Sequence, residues 1–231
     1  MNVLKKELQV YVYDKKVRGG SNHDGGYVYA DMGPIYDCYI SAGVANEESF
    51  SKHFIEKHGM NYSNSFAFDG TILQYPHQYT DDISFIRKNI GASETATTTD
   101  FSSLIEKYNN VFLKMDVEGG EYSWIATARY LHKFSQMVIE FHGINSNDEM
   151  TSRFFQKINQ THYLVHAHGN VCGGVSANGL PHVIELTYVN KKYFSNPPLK
   201  YTGTFPQDPL LDQSNDPNMA DVPFTLGENA S

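Results

Sequence analysis

Cysteine is nearly absent from this chain of 231 residues: only Cys38 and Cys172 occur, far apart. Two distant thiols make no disulfide framework, and such scarcity suits a reducing compartment, so a cytoplasmic location is expected. No run of eighteen apolar residues exists, which argues against a transmembrane helix. Residues 1–9 carry Lys5, Lys6 and Glu7 with no apolar stretch behind them, which argues against a secretory signal. Basic charge is also short, with 18 Lys and Arg against 26 Asp and Glu, a net charge of −8. A nucleic-acid partner, which needs a basic face, is therefore not expected. The G-x-G-x-x-G fingerprint, the P-loop and the G-x-S-x-G elbow are all missing. Their absence disfavours a nicotinamide dehydrogenase, a nucleotide triphosphatase and a serine hydrolase. No internal repeat and no heptad pattern is present.

What the chain does contain is a core's worth of apolar residues (40%) and many aromatics, including 16 Tyr and 14 Phe. Tyrosine richness fits a carbohydrate-stacking surface, although aromatic cores explain it as well. Short apolar runs alternate with helical patterns. Strands are expected at 36–41, 65–68, 83–86, 111–115, 137–141, 163–165 and 183–189. Helices are expected at 46–58 with Asn46 as cap, after Asp100, after Gly120, and from Asn147 with Met150, Phe154 and Ile158 on one face. This order predicts an α/β fold with a mostly parallel sheet covered on both faces, and a closing hairpin that reverses one strand. Residues 1–195 form the expected domain, with a lead-in or lid at 1–30. Residues 196–231, rich in Pro, Asn and Asp, form an irregular tail.

The strand 111–115 is followed at once by Asp116, Glu118 and Glu121. In open α/β sheets the carboxyl ends of the strands face the ligand crevice. Asp116 and Glu118 are two apart, and Glu140 and His142 repeat that spacing at the end of the next strand. If the strands are neighbours, these groups converge. Asp116, Glu140 and His142 then suit Mg²⁺ or Mn²⁺. Alternatively His142 is a general base, or the groups form a metal-free polar network. Gly43, just past the first core strand, permits close backbone approach to a ligand ahead of a helix N-terminus. Asp69 ends the second strand, where a carboxylate accepts from a ribose diol or simply closes an Asp-Gly turn. The loop at 18–26, with Asp24, Gly25 and Gly26, reads as a lid, an amide nest or a tight hairpin. His166 and His168 share a strand face; with Cys172 they offer too few ligands for zinc, and an acceptor-binding wall or a plain surface loop is expected.

The strings KMDVEGGE (114–121), SAGVANEESF (41–50), FAFDGT (66–71), RGGSNHDGGYV (18–28), VIEFHG (138–143), HAHGNVCGG (166–174) and LPHVIELTYV (180–189), taken in order, resemble the FkbM-like methyltransferases over roughly residues 15–195. The resemblance implies a Rossmann-like class I methyltransferase fold with a seven-stranded sheet and an antiparallel last strand. It implies S-adenosylmethionine as cofactor and O-methylation, here of a sugar or glycan hydroxyl. A lipid, protein or small-molecule hydroxyl, or a non-catalytic carbohydrate-binding module, remains open as an alternative. Carried over, Ser41, Ala42 and Gly43 would contact the methionine part, Asp69 the ribose, and Asp24, Gly25 and Gly26 would close over the cofactor, with Asp100 among the cofactor contacts. Asp116 would lie beside the sulfonium, with His142 and Glu118 as its catalytic companions. Motif I here has a single glycine, fewer than the family usually carries.

Overall fold

The computed structural model describes residues 3–144, 148–177 and 179–227. In chain order the elements are α1 (Val3–Glu7), β1 (Lys16–Gly19), β2 (Tyr27–Ala30), β3 (Cys38–Ala42), α2 (Ser49–His58), β4 (Ser65–Phe68), β5 (Ser84–Ile86), β6 (Asn89–Ile90), β7 (Thr98–Thr99), α3 (Ser102–Ile105), β8 (Val111–Met115), α4 (Gly120–Thr127), β9 (Phe134–His142), α5 (Asp148–Asn159), β10 (His162–Val175) and β11 (Pro181–Asn190). Seven strands form the central sheet in the order β10-β11-β9-β8-β3-β4-β5. Strands β9, β8, β3, β4 and β5 run parallel, and β11 is antiparallel to both of its neighbours. This is a Rossmann-like α/β sheet of seven strands with its last strand reversed, the arrangement expected.

The strands read as near-continuous apolar runs because both faces are covered. Alternate residues serve alternate cores. Cys38, Ile40, Ala42, Leu113, Met115, Ile139 and Phe141 face α3, α4 and α5 through Ile105, Trp124, Ile125, Phe155 and Ile158. Tyr39, Phe112 and Val138 face the other way, onto Phe50 and Phe54 of α2 and Tyr27 and Tyr29 of β2. Phe54 sits 4.1 Å from Phe112 and 4.8 Å from Tyr39, ring to ring. Many of the tyrosines, among them Tyr29, Tyr39, Tyr75 and Tyr188, are thus core residues.

Two helix expectations shift. Residues 44–47 form a turn and α2 begins at Ser49, because Asp69 captures the Val44 and Ala45 amides and Ala45 takes a left-handed φ of 45°. Met150 is exposed, and α5 instead buries Thr151, Phe155 and Ile158. The expected cap Asn147 lies outside the described residues.

The tail beyond 196 is irregular yet fastened down. Phe205, Phe224 and Leu226 enter the core, and Phe205 pairs with Phe224 by backbone hydrogen bonds in both directions. No helix among the described residues is long and apolar enough to cross a membrane.

Candidate active site

Strand register builds the site. Ala42 lies opposite both Phe68 and Met115, and Met115 lies opposite Ile139. One residue further on, Asp69, Gly43, Asp116 and Glu140 therefore form a row across the carboxyl edge of the sheet. The row continues through Glu185, paired with Glu140, to His168. Above β3, β4 and β8 this edge opens into a cavity of about 430 Å³, a size that suits a nucleoside-sized ligand. Its walls include Asp24, Gly25, Tyr27, Gly43, Asp69, Asn89, Lys114, Asp116 and Glu118.

Gly43 is required here for a reason other than ligand approach. Its φ is +80°, and a Cβ would stand 1.5 Å from the Asp116 carbonyl oxygen. The glycine lets the ends of β3 and β8 touch, while Asp116 N donates to Ala42 O at 2.8 Å.

Asp69 reaches the cavity, but its carboxylate is already engaged. Oδ2 accepts from the Val44 and Ala45 amides at 3.1 and 3.0 Å, and Oδ1 accepts from Thr71 N and Oγ1 at 2.7 and 2.6 Å. Burial would raise its pKa, but these hydrogen bonds outweigh burial and hold it below the ordinary carboxylate value. A carboxylate has about four acceptor positions, so Asp69 here shapes the motif turn from within.

Ser41 and Ala42 stand behind the cavity wall. Ser41 shares a sheet face with Tyr39 and donates to Glu48 Oε1 at 2.8 Å, while Ala42 faces the opposite core. Asp100 is likewise away from the cavity walls. Its Oδ1 accepts from Ser102 N and Oγ at 3.0 and 2.6 Å, which makes it the start of α3. Gly26 is off the walls as well, with Arg18 packed where its Cβ would be.

The loop at 20–26 joins the antiparallel pair β1–β2 and also walls the cavity through Asp24 and Gly25. Hairpin and enclosing loop are therefore the same object. Arg18 holds it, donating to Ser21 O (3.0 Å), His23 O (2.7 Å) and Leu211 O (3.2 Å).

At one end of the cavity Asp116 joins Glu140 and His142, with one ligand atom from each lying within 4.8 Å of the others. His142 Nε2 is 3.8 Å from Asp116, 3.6 Å from Glu140 and 3.4 Å from Glu118. Glu121, fully buried, orients this corner by accepting from the Gly119 and His142 amides, both at 2.8 Å. Asn170 donates to Glu140 Oε1 at 3.1 Å. The Tyr27 hydroxyl lies between Asp116 Oδ2 (3.2 Å) and Glu140 Oε2 (3.5 Å). Burial lowers the His142 pKa, but Glu121, Glu140 and Asp116 outweigh it and bring it to about 9. These carboxylates favour the charged form of the ring in this corner. Burial, then Asp116 and Glu185, push the Glu140 carboxyl well above the usual carboxylate range.

His166 and His168 are neither an acceptor wall nor a surface loop. Both are buried, and the tail supplies a carboxylate to each, beside Lys16 at His166 and Glu185 at His168. Asp212 lies 2.8 Å from His166 Nε2, and Asp221 lies 3.1 Å from His168 Nε2. Burial lowers the His168 pKa, but Glu185 and Asp221 raise it to about 10.

Residues 27–172 match the family described as the methyltransferase FkbM domain. The chain is an FkbM-family methyltransferase. Membership carries with it the use of S-adenosylmethionine. Among solved structures, one titled a crystal structure of the fibrillarin/Nop5p complex is similar at 11% identity and a TM-score of 0.42, covering 67% of this chain and 72% of that one. The comparison with curated proteins gave no match.

The sequence pattern singles out Asp24, Gly43, Asp116, Glu140 and His142, and names Glu121 only as one of three carboxylates after the strand; it gives Tyr27, Lys114 and Asn170 no role of their own. Lys114 did leave a signal, as a lone charge inside an apolar strand two residues before Asp116, hence on the same face. Tyr27 closes the glycine-rich loop, and nothing local marks its hydroxyl.

Proposed function

We propose that this FkbM-family methyltransferase is an O-methyltransferase of a sugar or glycan hydroxyl, assisted by a divalent cation. The observation that carries this reading is Asp116, which belongs both to the cavity wall and to the cluster with Glu140 and His142. A donor in the cavity and an acceptor at the cluster would meet across one side chain. The cavity's acidic lining suits a cationic donor, and bound S-adenosylmethionine would supply an electrophilic methyl on sulfonium.

The cluster fits a hard cation. Two carboxylates and an imidazole converge, and their mutual field holds a proton on His142 that a metal would displace. Mg²⁺ or Mn²⁺ held by Asp116, Glu140 and His142 would supply Lewis acidity toward an alcohol. Glu118, beside the same ring, and Asp24, in the enclosing loop, are exposed carboxylates at the rim that would help orient the two reactants. In this reading the hydroxyl proton leaves toward the Asp116 carboxylate. A cytoplasmic site of action belongs to the same proposal.

The test is transfer of labelled methyl from S-adenosylmethionine to panels of glycans, proteins and lipids, with and without chelator. The expected product is a base-stable methyl ether on a sugar, lost with EDTA and restored by Mn²⁺ or Mg²⁺. Label in a base-labile ester or on nitrogen would reject O-methylation of a hydroxyl. Turnover unchanged by EDTA would reject the cation.

A further inference from the structure

Lys114 is the one residue of β8 that carries charge into an otherwise apolar strand, and it is 5% exposed. Its ammonium donates to Gly43 O at 2.8 Å and lies 5.5 Å from the centre of the Tyr27 ring. An ammonium has three donors. Among the described residues no second hydrogen-bond acceptor and no carboxylate in ion-pair contact is found for it; the buried Glu48 carboxylate feels its charge from further off, and the lysine lines an acid-rich cavity. A buried cation left in that state is costly, and its neighbours are expected to be completed by something.

The other donors at this edge are already committed. Lys88, the second lysine on the cavity wall, pairs with Glu94 at 2.9 Å. The Val44 and Ala45 amides, which follow the motif glycine and would be an anion's natural hosts, both point at Asp69. Arg18 spends its guanidinium on backbone carbonyls. Among the described residues, Lys114 is thus the lysine on the cavity wall left for an anionic group. S-adenosylmethionine carries one anionic group, the α-carboxylate of its methionine part.

We propose that Lys114 receives the α-carboxylate of the donor and so sets which way round the donor lies in the cavity. This rests on the donor reading of the cavity given above. With the carboxylate drawn to the Lys114–Tyr27 corner, the sulfonium is directed along the same strand face toward Asp116, two residues on. Lys114 is then a specificity residue: it separates the intact amino acid from analogues that lack the carboxylate.

Calorimetric titration of the full chain with S-adenosylmethionine and with its decarboxylated analogue tests this, using the wild type, Lys114→Met and Lys114→Arg. The wild type should hold S-adenosylmethionine at least about tenfold more tightly than the analogue, as a charge-assisted hydrogen bond implies. Lys114→Met should erase that preference by losing affinity for S-adenosylmethionine alone, and Lys114→Arg should keep part of it. Equal binding of both ligands by the wild type overturns the proposal, as does a preference that survives Lys114→Met. The wild-type comparison decides by itself if Lys114→Met does not fold. If the wild type binds neither ligand, the donor reading of the cavity fails first, and that result is distinct from equal binding of both.

Discussion

Gly43→Ala is the sharpest perturbation of this edge. The residue sits at φ +80°, where a side chain costs about 1–2 kcal/mol through its contact with backbone. The added Cβ would also stand 1.5 Å from the Asp116 carbonyl oxygen and 2.6 Å from its carbon. That obstacle is backbone, so it cannot rotate aside. Relief requires parting β3 from β8 where Asp116 N meets Ala42 O, an overpacking cost of about 1–3 kcal/mol. The two together come to about 2–5 kcal/mol, and a domain of this size loses roughly 2–4 °C of Tm per kcal/mol. Differential scanning calorimetry should therefore show a Tm lower by about 4–20 °C. Binding of S-adenosylmethionine should weaken too, because Asp116 is displaced. A Tm within about 1 °C of wild type would refute the reasoning, since strand ends in this contact cannot admit a methyl group free of cost.

Tyr27→Phe keeps the buried ring but removes the hydroxyl shared by Asp116 and Glu140; Mn²⁺ affinity by calorimetry should fall about tenfold with Tm little changed, as for other groups that orient ligands, and an unchanged affinity would remove Tyr27 from the cluster. The His142 pKa is raised from 6.5 to about 9, so its stabilisation is complete below pH 6.5 and is lost as pH rises through about 9. In EDTA, the Tm advantage of wild type over His142→Gln should be present at about pH 6 and shrink as pH rises through about 9; a constant advantage would show that the ring is not held charged. Asp212→Ala leaves a buried His166 without its carboxylate, and urea denaturation should show a loss of about 3 kcal/mol. Proteolysis within 205–227 should accelerate in the same variant, and tail cleavage at the wild-type rate would count against the pairing.

Much of the frame was legible because strand alternation is local. Residues 111–115 and 65–68 stand as strands at the expected bounds, and Asp116, just past β8, meets Glu140, within β9, because Met115 pairs with Ile139. Ser41 and Ala42 misled for the same reason. Adjacent strand residues face opposite ways, so neither turns to the cavity, and only the residue past the strand end does. Asp69 closes the Asp-Gly turn that the sequence offered as its alternative role, through Thr71, while its bonds to the Val44 and Ala45 amides come from a distant loop that no spacing rule reports. His166 and His168 were unreadable because their carboxylates lie some forty to fifty residues away in a segment without periodicity.

The clasp formed by Arg18 on Leu211 O, His23 on Ser214 O and the Asp24 amide on Asn215 O joins the hinge of the cavity's lip to the far end of the chain. A fragment trimmed to the matched span of 27–172 would forfeit β11, Arg18 and these anchors together. Expression of that span alone would thus leave β10 with no strand beside it and the cavity open on one side.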